Sequence, residues 1–127
     1  MTTFTATLPL RAIGKPRQTR SDKWRKRPCV LAYRAFADQV RALIPAEVRA
    51  ADVVRLDWVA TFTPPESWSN KRKLASIGQP HRSKPDRDNI DKALMDSLFE
   101  EDSGIASGTI SKVWGERDQI ELTFWIL

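Results

Sequence analysis

Residues 53–62 read VVRLDWVATF. Val54, Leu56, Trp58, Ala60 and Phe62 share one face of an extended chain, because successive strand side chains point to opposite sides. The alternation predicts a half-buried strand, and the other elements are placed around it. Upstream, apolar residues recur at helical spacing from about Cys29 to Leu43: Val30, Tyr33, Phe36 or Ala37, Val40 and Leu43, with Pro45 beyond the end. Residues 3–8, TFTATL, alternate through Phe4, Ala6 and Leu8 and predict a strand closed by Pro9. Downstream lies the long connection TPPESWSNKRKLASIGQPHRSKP, in which SWSNKRKLAS predicts a short helix capped by Ser67 or Ser69. A second main helix is expected from about Asp88 to Phe99, burying Ile90, Ala93, Leu94, Ser97 and Leu98. The last segment reads as a hairpin: a strand over 109–114, a turn at GERD, and IELTFWIL returning with Ile120, Leu122, Phe124 and Ile126 on one face. The order β-α-β-(loop)-α-β-β predicts an α+β fold with helices packed on a small mixed β-sheet. At 127 residues, the whole of 1–127 is expected to be one domain.

The net charge of +5 favours an anionic partner, and nucleic acid is the first class to consider. No apolar run approaches the ~18 residues of a membrane span. The opening MTTFTATLPL has neither the charged nor the apolar region of a signal peptide, so a cytoplasmic protein is expected. One cysteine, Cys29, excludes an intrachain disulfide and a cysteine-cluster zinc site, and one histidine, His81, excludes a histidine-rich metal site. Any metal must then be held by oxygen, which selects hard cations such as Mg²⁺ or Mn²⁺.

Positive charge is concentrated in two places. Arg11, Lys15, Arg17, Arg20, Lys23, Arg25, Lys26 and Arg27 face a single acid, Asp22, and Lys71, Arg72, Lys73 and Lys84 lie in the long connection. Apart from Arg11, these are the expected DNA contacts. Trp24 and Trp68 are interleaved with them, either to stack on unpaired bases or to anchor their loops to the core. Trp58, Trp114 and Trp125 read as core residues. Cys29 reads as a packing residue at a helix start, and His81 as a loop residue near phosphate or simply exposed.

Negative charge is concentrated once. KPDRDNIDKALMDSLFEED, residues 84–102, holds seven of the 16 acidic residues. Asp86 and Asp88 form a D-x-D pair ahead of the second helix. If both are extended, they point the same way and share one cation. Asp102 could then fold back as a third carboxylate, and Lys92 lies one turn beyond Asp88 to meet a phosphate oxygen. The same residues also suit plain helix capping, with Asp88–Lys92 and Lys92–Asp96 as i,i+4 ion pairs.

The segment HRSKPDRDNIDKALMDSL resembles the RusA family of Holliday junction resolvases, found in bacteria and their prophages. The family's K-P-D-x-D-N-x-x-K motif and the A-x-x-D-x-L after it stand here as Lys84, Pro85, Asp86, Asp88, Asn89, Lys92, Ala93, Asp96 and Leu98. PPESWSNKRK and IGKPRQTR are similar to two further family stretches, so the resemblance covers most of the chain. It implies that Asp86 and Asp88 bind metal and that Lys92 is the essential lysine. It places the third carboxylate at Asp102, or at Glu101, although Gly104 stands at the family's glutamine. It further implies Mg²⁺ dependence with Mn²⁺ as a substitute, a homodimer, and paired nicking of four-way DNA junctions. Two other readings stand beside it: a non-catalytic, phage-type nucleic-acid-binding regulator, and a nuclease preferring other branched substrates.

Overall fold

The computed structural model describes residues 1–17 and 27–127. Its elements are β1 (Thr2–Leu8), α1 (Pro28–Leu43), α2 (Ala46–Ala50), β2 (Val53–Phe62), α3 (Asn70–Ser76), α4 (Arg87–Leu98), β3 (Ile110–Trp114) and β4 (Gln119–Ile126). The alternating segments form strands and the 3.6-period segments form helices, as expected. The fold is α+β, with α1 and α4 packed against each other and against one mixed sheet. The short helix α2 was not expected. Ser69 caps α3, accepting a hydrogen bond from the Arg72 N–H at 3.2 Å.

The sheet order is β1-β4-β2-β3. β4 is antiparallel to both β1 and β2, and β3 is parallel to β2. The expected β3–β4 hairpin is therefore absent, although only residues 115–118 separate the two strands. Those residues step over the end of β2. The Gly115 N–H donates to Phe62 O at 2.9 Å, and a Cβ on Gly115 would meet Thr61 Cγ2 at 2.3 Å. Asp118 then accepts the Thr63 N–H at 2.8 Å. A hairpin-sized connection serves here as a crossing between opposite edges of β2.

The core faces of β2 and β4 bury Leu56, Trp58, Ala60, Phe62, Ile120, Leu122 and Phe124. Against them lie Tyr33, Phe36, Ala37, Val40 and Ile44 from α1 and its C-cap, and Ile90, Ala93, Leu94 and Leu98 from α4. Each fully buried side chain of this size contributes about 1.5–3 kcal/mol relative to exposure. Leu43 was expected inside but is exposed. The buried aliphatic residue is Ile44, one turn on from Val40.

Trp125 also departs from its expected core position. The β4 alternation puts it opposite Phe124, and it is only partly buried. Its indole N–H donates to Asp57 Oδ2 at 2.9 Å. Asp57 Oδ1 accepts from Arg55 Nε at 2.9 Å and from the Thr109 N–H at 2.8 Å. Asp57 thus ties the segment before β3 to β2. Gly108 is required in that segment, because a Cβ there would meet Leu56 O at 2.0 Å. Burial pushes the Asp57 carboxyl up, but the bonds from Arg55, Thr109 and Trp125 outweigh it and hold the group below 3.8.

Replacing Asp57 by Ala leaves three donors without their acceptor and is expected to cost about 1–3 kcal/mol in urea unfolding at neutral pH. A depressed folded pKa adds stability above the unfolded value that is lost as pH falls through the folded one. The difference between the native chain and Asp57→Ala should therefore narrow below pH 3.8.

Candidate active site

Helix α4 carries the acidic motif at its start. Asp86 is its N-cap, in extended conformation, and Asp88 lies in the first turn. The two are therefore not successive extended residues. The onset of the helix brings them to one end of it, where the positive end of the helix dipole favours carboxylates. Asp86 makes no side-chain cap bond. Its two oxygens instead accept from Lys84 Nζ at 2.8 and 2.9 Å. That hydrogen bond, with the charge of Lys84, holds the exposed Asp86 carboxyl below its ordinary range. Asp88 and Lys92 are exposed, and among the described residues neither pairs with the other. The Lys92–Asp96 pair does not form either: Asp96 pairs with Lys15.

The Asp96 contact places the Gly14–Lys15 segment on α4. The Lys15 N–H donates to Asn89 O at 3.2 Å, and its ammonium lies 5.9 Å from the centre of the Tyr33 ring. The hydrogen bond to Asp96 raises the Lys15 pKa. Gly14 allows this approach, since a Cβ would meet Asn89 Nδ2 at 2.4 Å.

Asp102 does not join Asp86 and Asp88. α4 has 12 residues and rises about 18 Å. Asp86 stands at its start, while Asp102 and Glu101 follow its end. There the Glu101 carboxylate accepts the Ser103 N–H at 3.0 Å, and the Ile105 N–H donates to Asp102 O at 3.0 Å. These bonds close a local turn instead of returning the chain to the start of α4. Among the described residues, no three His, Cys, Asp or Glu side chains are grouped to hold a metal ion. Asp91 is engaged elsewhere, accepting the Trp58 indole N–H at 2.9 Å.

Beside Asp86 opens a cleft of about 690 Å³, lined by His81, Arg82, Lys84, Arg87 and Lys112 among others. Of these five, only Lys84 was among the expected DNA contacts. His81 is buried, stacked on Phe62 at 4.1 Å and tilted against Trp114 at 4.3 Å. Burial, then the charges of Lys112 and Arg11, lower its pKa and favour the neutral ring. Lys112 donates from Nζ to Ser83 O and Pro85 O, each at 2.7 Å. Its signal was in the sequence: in ISKVW, a lysine stands on the face shared by Ile110 and Trp114.

The remaining basic positions divide into three groups. Arg17, Lys71, Arg72 and Lys84 are exposed. Lys73 is 3.6 Å from Glu66, and Arg27 donates to Arg17 O at 2.7 Å. Arg20, Lys23, Arg25 and Lys26, with Trp24, lie outside the described residues. Trp68 packs on Trp114 at 5.0 Å and carries the Arg72 guanidinium 3.7 Å from its ring centre. The contact with Trp114 anchors the Trp68 loop to the core. Cys29 is free and exposed at the start of α1, not buried as a packing residue.

The model of the family described as endodeoxyribonuclease RusA matches residues 9–124. The chain belongs to the RusA endodeoxyribonuclease family. Among curated proteins, none matches it. RusA endonucleases resolve Holliday junctions, so branched DNA is the family's substrate class. The RusA match takes in Lys15, the start of α4 and Lys112 together. No helix among the described residues is long and apolar enough to cross a membrane.

Gly14→Val should push the Asn89 side-chain amide aside, since its Nδ2 is the first atom a Cβ there would meet. Overpacking of this kind is expected to cost about 1–3 kcal/mol, read from the denaturation midpoint.

Proposed function

We propose that this RusA-family protein is a Mg²⁺-dependent endonuclease that resolves four-way DNA junctions by paired, symmetric nicks. The observation that carries the reading is the exposed Asp86–Asp88 pair at the start of α4, bordered by a cationic cleft. A Mg²⁺ ion is commonly held by one or two carboxylates, with water and substrate phosphate filling its other positions. Asp86 and Asp88 suit that donor set, and Mn²⁺ suits it as well. In the free protein Asp86 already attracts a cation, the Lys84 ammonium. When bound, the metal supplies an activated water and neutralises charge on the phosphodiester.

The protein's own groups bind and orient the strand. Lys92, one turn beyond Asp88, is placed to meet a non-bridging phosphate oxygen. Lys84 and Arg87 make the cleft beside Asp86 attractive to the backbone of the same strand. Lys15, Arg17, Lys71 and Arg72 extend the positive surface. A four-way junction has approximate two-fold symmetry, so a homodimer would present one such site to each of two opposed strands. Asp102 and Glu101 are not grouped with Asp86 and Asp88 among the described residues of one chain.

Asp88→Asn is expected to lower junction nicking at least about 100-fold while leaving junction affinity unchanged in gel-shift titration. Nicking at the native rate would remove Asp88 from the site. Junction affinity should fall linearly with salt on a log–log plot, with a slope near −0.9 for each duplex phosphate neutralised. A non-catalytic regulator would share that slope, but its function would survive EDTA.

A further inference from the structure

Asp86 follows a stretch with little support of its own. From Gly78 to His81 the chain runs beside β3: the Gly78 N–H donates to Trp114 O at 2.9 Å, the Trp114 N–H to Gln79 O at 3.0 Å, and the His81 N–H to Lys112 O at 3.2 Å. Between His81 and Asp86 the ladder stops. No backbone–backbone hydrogen bond is made by residues 82–85 among the described residues. Two carbonyls of this stretch, Ser83 O and Pro85 O, are held by one group, the Lys112 ammonium. Pro85 O belongs to the peptide that leads directly into Asp86.

A lysine suits this task. An ammonium offers three donors on a rotatable centre, so it can converge on two carbonyls. It stands on β3, whose position is fixed by pairing with β2 from Trp58↔Ile110 to Phe62↔Trp114. Lys112 is partly buried, with most of its donors committed to the backbone.

We propose that Lys112 is a positioning residue of the nuclease site: its ammonium clasps the Ser83 and Pro85 carbonyls and thereby aims Asp86 from the rigid β3 strand. The inference rests on the reading of Asp86 as a metal ligand. It gives Lys112 a role apart from contact with substrate, since an ammonium held by two carbonyls acts on the site through Asp86. Groups that orient a metal ligand commonly change metal affinity by 10–100-fold when removed.

The test compares the native protein with Lys112→Met and Lys112→Gln. Methionine keeps the stem without donors, and glutamine restores a neutral donor. Three quantities are measured: amide hydrogen exchange across residues 82–88 without metal, Mn²⁺ affinity without DNA, and junction nicking resolved into kcat and KM. Lys112→Met should exchange faster in that segment than the native chain while the rest of the protein is unchanged. It should bind Mn²⁺ at least about 10-fold more weakly and lose kcat with little change in KM. Lys112→Gln should recover part of each loss, and it carries the same readouts if the methionine variant does not fold. Native exchange and native Mn²⁺ affinity in Lys112→Met would overturn the proposal, as would a defect confined to KM, which marks a phosphate contact. If the native protein itself neither binds Mn²⁺ nor nicks junctions, the metal-ligand reading of Asp86 fails, whatever the exchange data show for the clasp.

Discussion

Helix α4 is seated on the sheet by one apolar face and one polar tie. Ile90, Ala93, Leu94 and Leu98 are buried against β2 and its neighbours, and the Trp58 indole N–H reaches Asp91 from the centre of the sheet. A buried indole needs an acceptor, and Asp91 supplies it one turn beyond Asp88. The tie fixes the rotation of the helix about its axis. With Asp91 turned to the sheet, Asp88 and Lys92 face outward and Asp96 faces the Gly14–Lys15 segment. Rotation of α4 by one position would take Asp91 off the Trp58 indole and Asp96 off the Gly14–Lys15 segment.

The electrostatics follow from this seating. A helix start tolerates Asp86 and Asp88 close together because the unpaired N–H groups there carry partial positive charge. Lys84 and the other cations of the cleft lower the repulsion further. The arrangement is favourable without metal and leaves the carboxylates accessible to it. The contrast with Asp57 is informative. That carboxylate is also held below its ordinary range, but its oxygens are taken by Arg55, Thr109 and Trp125, so its work is structural.

The strands and main helices were legible because their burial patterns follow periods of two and 3.6 residues. Strand order was not. Alternation says that Ile120, Leu122 and Phe124 share a face, but not which edge they join, and four residues between β3 and β4 read as a turn. Gly115 and Asp118 make those residues a crossing over β2, a role visible only with Phe62 and Thr63 in place. The exposed D-x-D pair at the start of a helix, with Lys92 one turn on, was legible from motif and periodicity. Asp102 was placed with them by an expected fold-back and by resemblance, but the three are not grouped among the described residues. Lys112 was legible in principle, as a lysine on an apolar strand face. His81 was not, because its burial depends on two rings brought from β2 and β3.

Under the proposed function, the Asp86–Asp88 end of α4 is a metal-dependent cutting site matched to branched DNA. The direct measurement uses an end-labelled four-way junction and a linear duplex of the same sequence, each incubated with the native protein in Mg²⁺ or in EDTA. Symmetric nicks in opposed strands of the junction, only with Mg²⁺, and an intact duplex are the expected result. Tight junction binding with no nicks under either condition would contradict it.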